Sequence, residues 1–440
     1  MASNDNSKKL GRMLHNKKLN LVIGFDKNPK NNSGITPLHN AAKWGSFKMC
    51  RMILECVENK SPRDEAGMTP LHFAACTRGN IEVLELFLKN SENKEPINNE
   101  GDSPLHCAVM CGQLETCDFL LKNVENKEPA NFQGVTPLHY GADQNHLEIC
   151  QLLLKNAKNK NPADQNGFTP LHYAAMKGHF SIFKLIATEV EDKNPKVSKT
   201  LITPLHCASK KGDVEICKYI LQYIVKKSPT DKRGDTPHHI AAENGHLSIC
   251  ELIIQQNQNK DKNPKNNKGR TPLHIAADKG HLKICKSIIE KVKDKNPKCN
   301  NGNTPLHFAA QNGHVGAFEL ILKSVEEKNP KNNLRQTPLD LADGHKNIHR
   351  IYRRFASQQI SNIDNVQAQN SQGQNQIVEI KSFVQNTVRF KIDQNLSAMS
   401  TLMKKEPLAN AIPSLQQQRK AIETGMILLI VDIKRKTFMC

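Results

Sequence analysis

The sequence predicts an all-α repeat solenoid, and three observations carry that prediction. First, a heptapeptide of the form Thr-Pro-Leu-His-x-Ala-Ala recurs. Its copies begin at Thr36, Thr69, Ser103, Thr136, Thr169, Thr203, Thr236, Thr271, Thr304 and Thr337. The steps between them are 33 to 35 residues, a period at which small units stack and bury their apolar faces on one another. Second, every copy carries helix start and stop signals at the same offsets. Third, hydrophobic residues make up 38% of the chain and aromatic residues only 5%. Packing must therefore rest on Leu, Ile, Ala and Cys, which suits thin helix pairs.

Each repeat reads in order. Thr at the helix start caps the first turn with its hydroxyl, and Pro follows at N1, where its missing N–H costs nothing. Leu and the Ala pair face the stack. Gly45, Gly79, Gly112, Gly178, Gly212, Gly245, Gly280 and Gly313 end the first helix, where a left-handed residue is wanted, and Asn145 takes that place once. The second helix carries apolar residues at i, i+3, i+4 spacing, as in Leu147, Cys150, Leu153 and Leu154. A loop with Asn-Pro or a variant, then Gly two before the next Thr, closes the repeat.

The departures are local. One residue is gained between Thr69 and Gly79, and one between Pro195 and Thr203, where Leu201 replaces the usual Gly. Two are gained near Gln255-Gln256-Asn257. His238 stands where the motif Leu belongs and is expected to weaken its repeat. Residues 1–28 lack the heptapeptide, but Leu10, Met13, Leu14, Leu21 and Val22 form a short stripe that reads as an N-terminal capping half-repeat. The last copy, Thr337 to Asp340, leads into a basic helix with Lys346, His349, Arg350, Arg353 and Arg354, which suits a C-terminal cap. Residues 356–376 turn to Gln, Asn and Ser and read as a flexible linker. The tail 377–440 fits no family, with a weak alternation over 377–391 and a helix running into a short strand over 415–433.

The ten copies in one register resemble the ankyrin-repeat family over residues 29–355. The resemblance implies helix-turn-helix repeats joined by β-hairpin loops, and a motif His that hydrogen-bonds hairpin backbone. It also implies a concave binding surface built from hairpin tips and first helices. One departure concerns the end of the second helix. The family's Gly-Ala-Asp run is replaced here by Ala-Lys-Asn or Val-Glu-Asn, so the helix is expected to run longer or cap less sharply.

Composition narrows the function. Lys plus Arg is 62 and Asp plus Glu is 43, a net charge of +19. Such a charge suits acidic protein surfaces, nucleic acid or anionic membranes. Five Tyr and one Trp leave little for base stacking, which argues against nucleic acid. Of the 13 cysteines, Cys50, Cys117, Cys150, Cys217, Cys250 and Cys285 share one repeat position with Val83, Phe183 and Phe318. That is a core position, where Cys acts as a small hydrophobe. Stacked helices lie about 8–10 Å apart, beyond the roughly 7 Å reach of a disulfide, so reduced thiols and a reducing compartment are expected. The Lys-rich start is no signal peptide, and no apolar run approaches the roughly 20 residues of a membrane helix. The cytoplasm is the expected location, with the nucleus left open.

The same steps set aside enzymatic chemistry and cofactors. Stacking separates the motif histidines by about 8–10 Å, too far to share a zinc. Cys107, Cys111 and His106 make at most half a zinc site. No phosphate loop or nucleophile elbow appears, so neither a cofactor nor a small-molecule substrate is expected. The function expected is a scaffold or adaptor that binds partner proteins. The alternative is a regulatory or targeting module of a larger enzyme or channel assembly. The residue before the motif Thr should sit near each hairpin tip, and it is apolar at Ile35, Met68, Val135, Phe168 and Ile202. With Trp44 and Met176, at the ends of first helices, these are the candidate partner-binding residues. A Lys two before each repeat Pro, from Lys27 to Lys328, would form a basic stripe after stacking.

Overall fold

The motif proline starts every first helix. These helices are Pro37–Lys43, Pro70–Ala75, Pro104–Met110, Pro137–Gln144, Pro170–Lys177, Pro204–Lys211, Pro237–Asn244, Pro272–Lys279, Pro305–Gln311 and Pro338–Leu341. The computed structural model describes residues 28–257 and 262–369, with side chains to Gln358. The N-terminal half-repeat and the tail beyond residue 369 lie outside the described residues. Second helices alternate with the first, from Phe47–Leu54 to Val315–Ser324, and Lys346–Gln369 closes the order. The fold is an all-α repeat solenoid. It divides into residues 1–305 and 306–440.

Local chemistry sets each helix end. The glycines that close first helices have φ between 64° and 90°, and Asn145 has 65°. Gly212 shows a second reason: a Cβ there would lie 2.6 Å from the His246 ring. The apolar stripe of each second helix points inward. Cys50, Cys117, Cys150, Cys217, Cys250 and Cys285 are 0% exposed, as are Phe183 and Phe318 at the same position. The motif Ala residues are as fully buried, and within residues 1–305 each first helix packs on the next first helix through them. Small side chains there let the backbones approach closely.

The loops depart from expectation. Among the described residues there is no strand, so the expected β-hairpins are tight turns. Eight of the ten turns carry an Asn or Asp five residues before the motif Thr or Ser. Asp164 is typical: its Oδ1 accepts from the Asn166 and Phe168 N–H groups at 2.9 Å. Most neighbouring tips share one backbone bond, such as Gln165 N–H to Gln133 O at 2.8 Å and Lys232 N–H to Thr200 O at 2.9 Å. One bond per repeat is too few for a strand ladder. At the Leu201 insertion the backbone is left-handed without glycine, φ 58°, a conformation that costs an L-residue about 1–2 kcal/mol.

Residues 306–440 hold the end of the array. Val315–Ser324 packs on Lys346–Gln369, which buries Ile348, Tyr352 and Ala356. That helix passes through position 356, where the linker was expected, and continues to Gln369. Its Ala and Gln residues favour helix, which a low-complexity reading of composition does not weigh.

His238 is the weakest core choice. It is 1% exposed, and its Nε2 finds no partner among the described residues. An unpaired buried polar atom costs about 1–3 kcal/mol. His238→Leu, which restores the motif residue, should raise stability by about 1–2 kcal/mol, read as a higher urea midpoint. An unchanged or lower midpoint would contradict this account.

Candidate partner-binding surface

One side chain ties each repeat to the next. In the Thr169 repeat, His172 Nδ1 accepts from the Thr169 N–H at 3.2 Å and from its hydroxyl at 3.0 Å. An Nδ1 that accepts leaves the proton on Nε2, and Nε2–H donates to the Ile202 carbonyl of the following repeat at 3.4 Å. The same arrangement recurs at His39, His72, His106, His139, His206, His239 and His274, reaching Met68, Asp102, Val135, Phe168, Asp235, Arg270 and Asn303 at 2.9 to 3.1 Å. His307 reaches Gln336 O at 3.1 Å in the same way. In every case the acceptor is the residue just before the next motif Thr. The threonine hydroxyl therefore bonds mainly to imidazole, with His in the N3 role of a capping box.

This clip requires neutral imidazole. Burial pushes the His72, His139 and His172 pKa down to about 4, and that of His274 to about 3, with backbone bonds opposing the shift. A second histidine set does similar work. Nε2 of His179, His246 and His281 donates to Asp143, Lys210 and Glu243 O at 3.1 to 3.2 Å. Both sets are occupied by structure. Among the described residues no three His, Cys, Asp or Glu side chains gather as a metal site.

The clip also explains where the candidate binding residues lie. Met68, Val135, Phe168 and Ile202 surrender their carbonyls to it, and their side chains, with Ile35, are half-buried. Phe168 stands edge-on to the His172 ring at 5.4 Å. Trp44 is different: it is 56% exposed, and Met176 is 38% exposed. Met110, at the repeat position of Met176, is 44% exposed. Sequence reading passed over Met110, although its offset of seven from Ser103 matches that of Met176 from Thr169.

Part of the Lys stripe turns inward, whereas Lys94 and Lys127 are exposed. Nζ of Lys160, Lys227 and Lys328 donates to the carbonyls of Leu154, Leu221 and Leu322, six residues back in the second helix. Lys193 donates to Val190 O at 2.8 Å and lies over the Tyr223 ring. These ammonium groups cap the helix C-terminus, in place of the Gly-Ala-Asp run. The exposed cations are unevenly spread along the chain. Residues 28–192 carry 16 Lys and Arg against 20 Asp and Glu, whereas residues 193–300 carry 22 against 10. The turn tips follow suit, from exposed Glu65, Glu100 and Gln165 to exposed Lys199, Lys232 and Lys268.

The stacked helix pairs define a helical repeat protein. The family model for ankyrin repeats (3 copies) matches overlapping stretches from residues 2–96 through 292–351, and the chain belongs to the ankyrin-repeat family. Ankyrin repeats are generally protein–protein interaction modules and typically non-enzymatic. Comparison with curated proteins returned no match. No helix among the described residues is long and apolar enough to cross a membrane.

The neutral ladder sets an acid limit. Folded pKa values lie below the unfolded value of about 6.5, so between these values the unfolded chain binds more protons. Stability should be flat above about pH 6.5 and fall as the pH drops from there towards about 4. Denaturation midpoints measured from pH 7.5 to 4.5 check this, and a flat profile would refute it.

Proposed function

We propose that this chain is a scaffold or adaptor that binds partner proteins through its first-helix ends and turn tips. The observation that carries the reading is the exposure of Trp44, Met110 and Met176 at those helix ends. An exposed Trp supported by flexible Met side chains is the composition of binding hot spots. No structural bond requires their apolar character.

The charge asymmetry favours a partner with an acidic segment. The excess cations lie on residues 193–300, and Arg233 and Arg270 are the only arginines among them. Lysines are strongly hydrated point charges, which suits salt-sensitive steering of a carboxylate-rich chain. No catalytic residue is assigned.

Affinity purification with quantitative mass spectrometry tests the reading. Trp44→Ala with Met176→Ala should weaken the capture of specific partners about 30-fold, the effect of losing a hot spot worth 2 kcal/mol, while circular dichroism stays unchanged. Lys199→Glu, Lys232→Glu and Lys268→Glu together should reduce recovery and its salt dependence. Full partner recovery by both folded variants would sink the proposal.

A further inference from the structure

Ser or Thr precedes Pro twelve times along the chain. Ten of these pairs start first helices, and their Ser or Thr is buried. The other two, Ser61-Pro62 and Ser228-Pro229, lie in loops that follow second helices. The Ser228 hydroxyl oxygen accepts from Asn257 Nδ2 at 3.1 Å. Ser61 is half-buried, and its hydroxyl makes no hydrogen bond among the described residues.

The next two repeats hold Glu at the position of Ser61. Val57-Glu58-Asn59-Lys60-Ser61-Pro62 and Val124-Glu125-Asn126-Lys127-Glu128-Pro129 differ only there. The carboxylate at this position ties its loop to the loop one repeat on. Glu95 Oε1 accepts from the Glu125 N–H at 2.7 Å and from the Asn126 N–H at 3.1 Å. The Glu128 carboxylate accepts from the Lys158 and Asn159 N–H groups at 2.9 and 3.1 Å. In the same register the groups facing Ser61 are the N–H groups of Glu92 and Asn93. Both residues are exposed, and neither N–H has a hydrogen-bond partner among the described residues. Glu92-Asn93 repeats the Glu125-Asn126 dipeptide that Glu95 clasps, so an acidic side chain beside the donors does not prevent the clasp.

Reach decides which partner this position takes. Asn is shorter than Glu and turns back to its own repeat: Oδ1 of Asn161 and Asn194 accepts from the Leu171 and Leu205 N–H groups at 3.2 and 2.9 Å. A serine oxygen is shorter still. The phosphate oxygens of phosphoserine lie three bonds from Cβ, as the carboxylate oxygens of Glu do, and carry a charge of about −1.5 to −2 at pH 7.

We propose that Ser61 is a phosphorylation site for a proline-directed Ser/Thr kinase, and that its phosphate clasps the Glu92 and Asn93 N–H groups and so ties these two loops together. The Ser61 hydroxyl attacks the γ-phosphorus of ATP. The bond from that phosphorus to the β,γ-bridging oxygen breaks, ADP leaves with the electron pair, and the hydroxyl proton passes to the kinase's catalytic carboxylate. Pro62 is buried, so the segment lifts to enter the kinase. Residues 57–64 lie in neither helix nor strand, and no backbone–backbone hydrogen bond holds Glu58 to Arg63. The ten motif pairs are held by their helices and stay unmodified.

The test treats the full folded chain with ATP and a recombinant mitogen-activated protein kinase. Peptide mass spectrometry should find one phosphate at Ser61 and none on the motif Thr residues, and Ser61→Ala should lack it. Hydrogen exchange at the Glu92 and Asn93 amides should slow about tenfold on phosphorylation, the effect of a charge-assisted bond. Ser61→Glu should slow the same two amides without kinase. A chain left unmodified at Ser61 overturns the proposal, and so does a phosphorylated chain whose Glu92 and Asn93 amides exchange as before. Both outcomes are read on the wild-type chain, so they do not depend on how the variants fold.

Discussion

A single imidazole has to serve two repeats at once, and the rest of the stack is built around that demand. The ring must accept on one side from its own helix start and donate on the other to the next repeat. Neutral His offers an acceptor and a donor on opposite edges of a rigid plane, which a carboxylate does not. Asp340 shows the difference. It takes the inner half of the role, accepting from the Thr337 N–H at 2.7 Å and from its hydroxyl at 2.8 Å. An ionised carboxylate has no proton to pass on, so the chain of clips stops at the last heptapeptide. The residue that ends the ladder is the one that lacks a donor.

The clip constrains recognition as well as folding. Its acceptor is the carbonyl before each motif Thr, so that residue is held against the ring of the preceding repeat. At Phe168 the side chain packs on the motif His of its own repeat. Apolar character at these positions is therefore satisfied largely within the stack. On the proposed reading, the surface for partners lies further out, at the ends of the first helices and the two residues at each turn tip. Trp44, Met110 and Met176 occupy the first of these, and Lys199, Lys232 and Lys268 the second.

What the sequence made legible was whatever depends on short-range chemistry. The heptapeptide, the left-handed Gly and the buried Cys position each follow from a few neighbouring residues, and each is found as expected. The Asx turn was equally local and could have been seen. Asn or Asp stands five residues before the motif start in eight of ten copies, with Ser198 and Cys299 as the exceptions. The lysine stripe was visible in position but not in direction, because the carbonyls it caps lie six residues back across the helix end. Phe168 and Ile202 read as exposed tips although their side chains are half-buried, Phe168 against the His172 ring.

The stack tolerates the charge asymmetry because a backbone bond between tips forms whatever the side chain. Successive tips are joined by backbone, as in Asn267 N–H to Arg233 O at 3.1 Å and Asn300 N–H to Lys268 O at 3.1 Å, and at some tips by an amide side chain as well, as in Asn267 Nδ2 to Lys232 O at 3.0 Å and Asn300 Nδ2 to Asn267 O at 2.9 Å. A backbone bond places no demand on side-chain charge. Glu65 and Lys232 therefore occupy equivalent tips with the same bonding, to Ser33 O at 3.0 Å and to Thr200 O at 2.9 Å. The clip histidines have no such freedom, because their ring atoms make the bond. An array of this kind separates its two tasks by atom type. Where a ring atom makes the bond between repeats the residue recurs, and where the backbone makes it the side chain is free to vary.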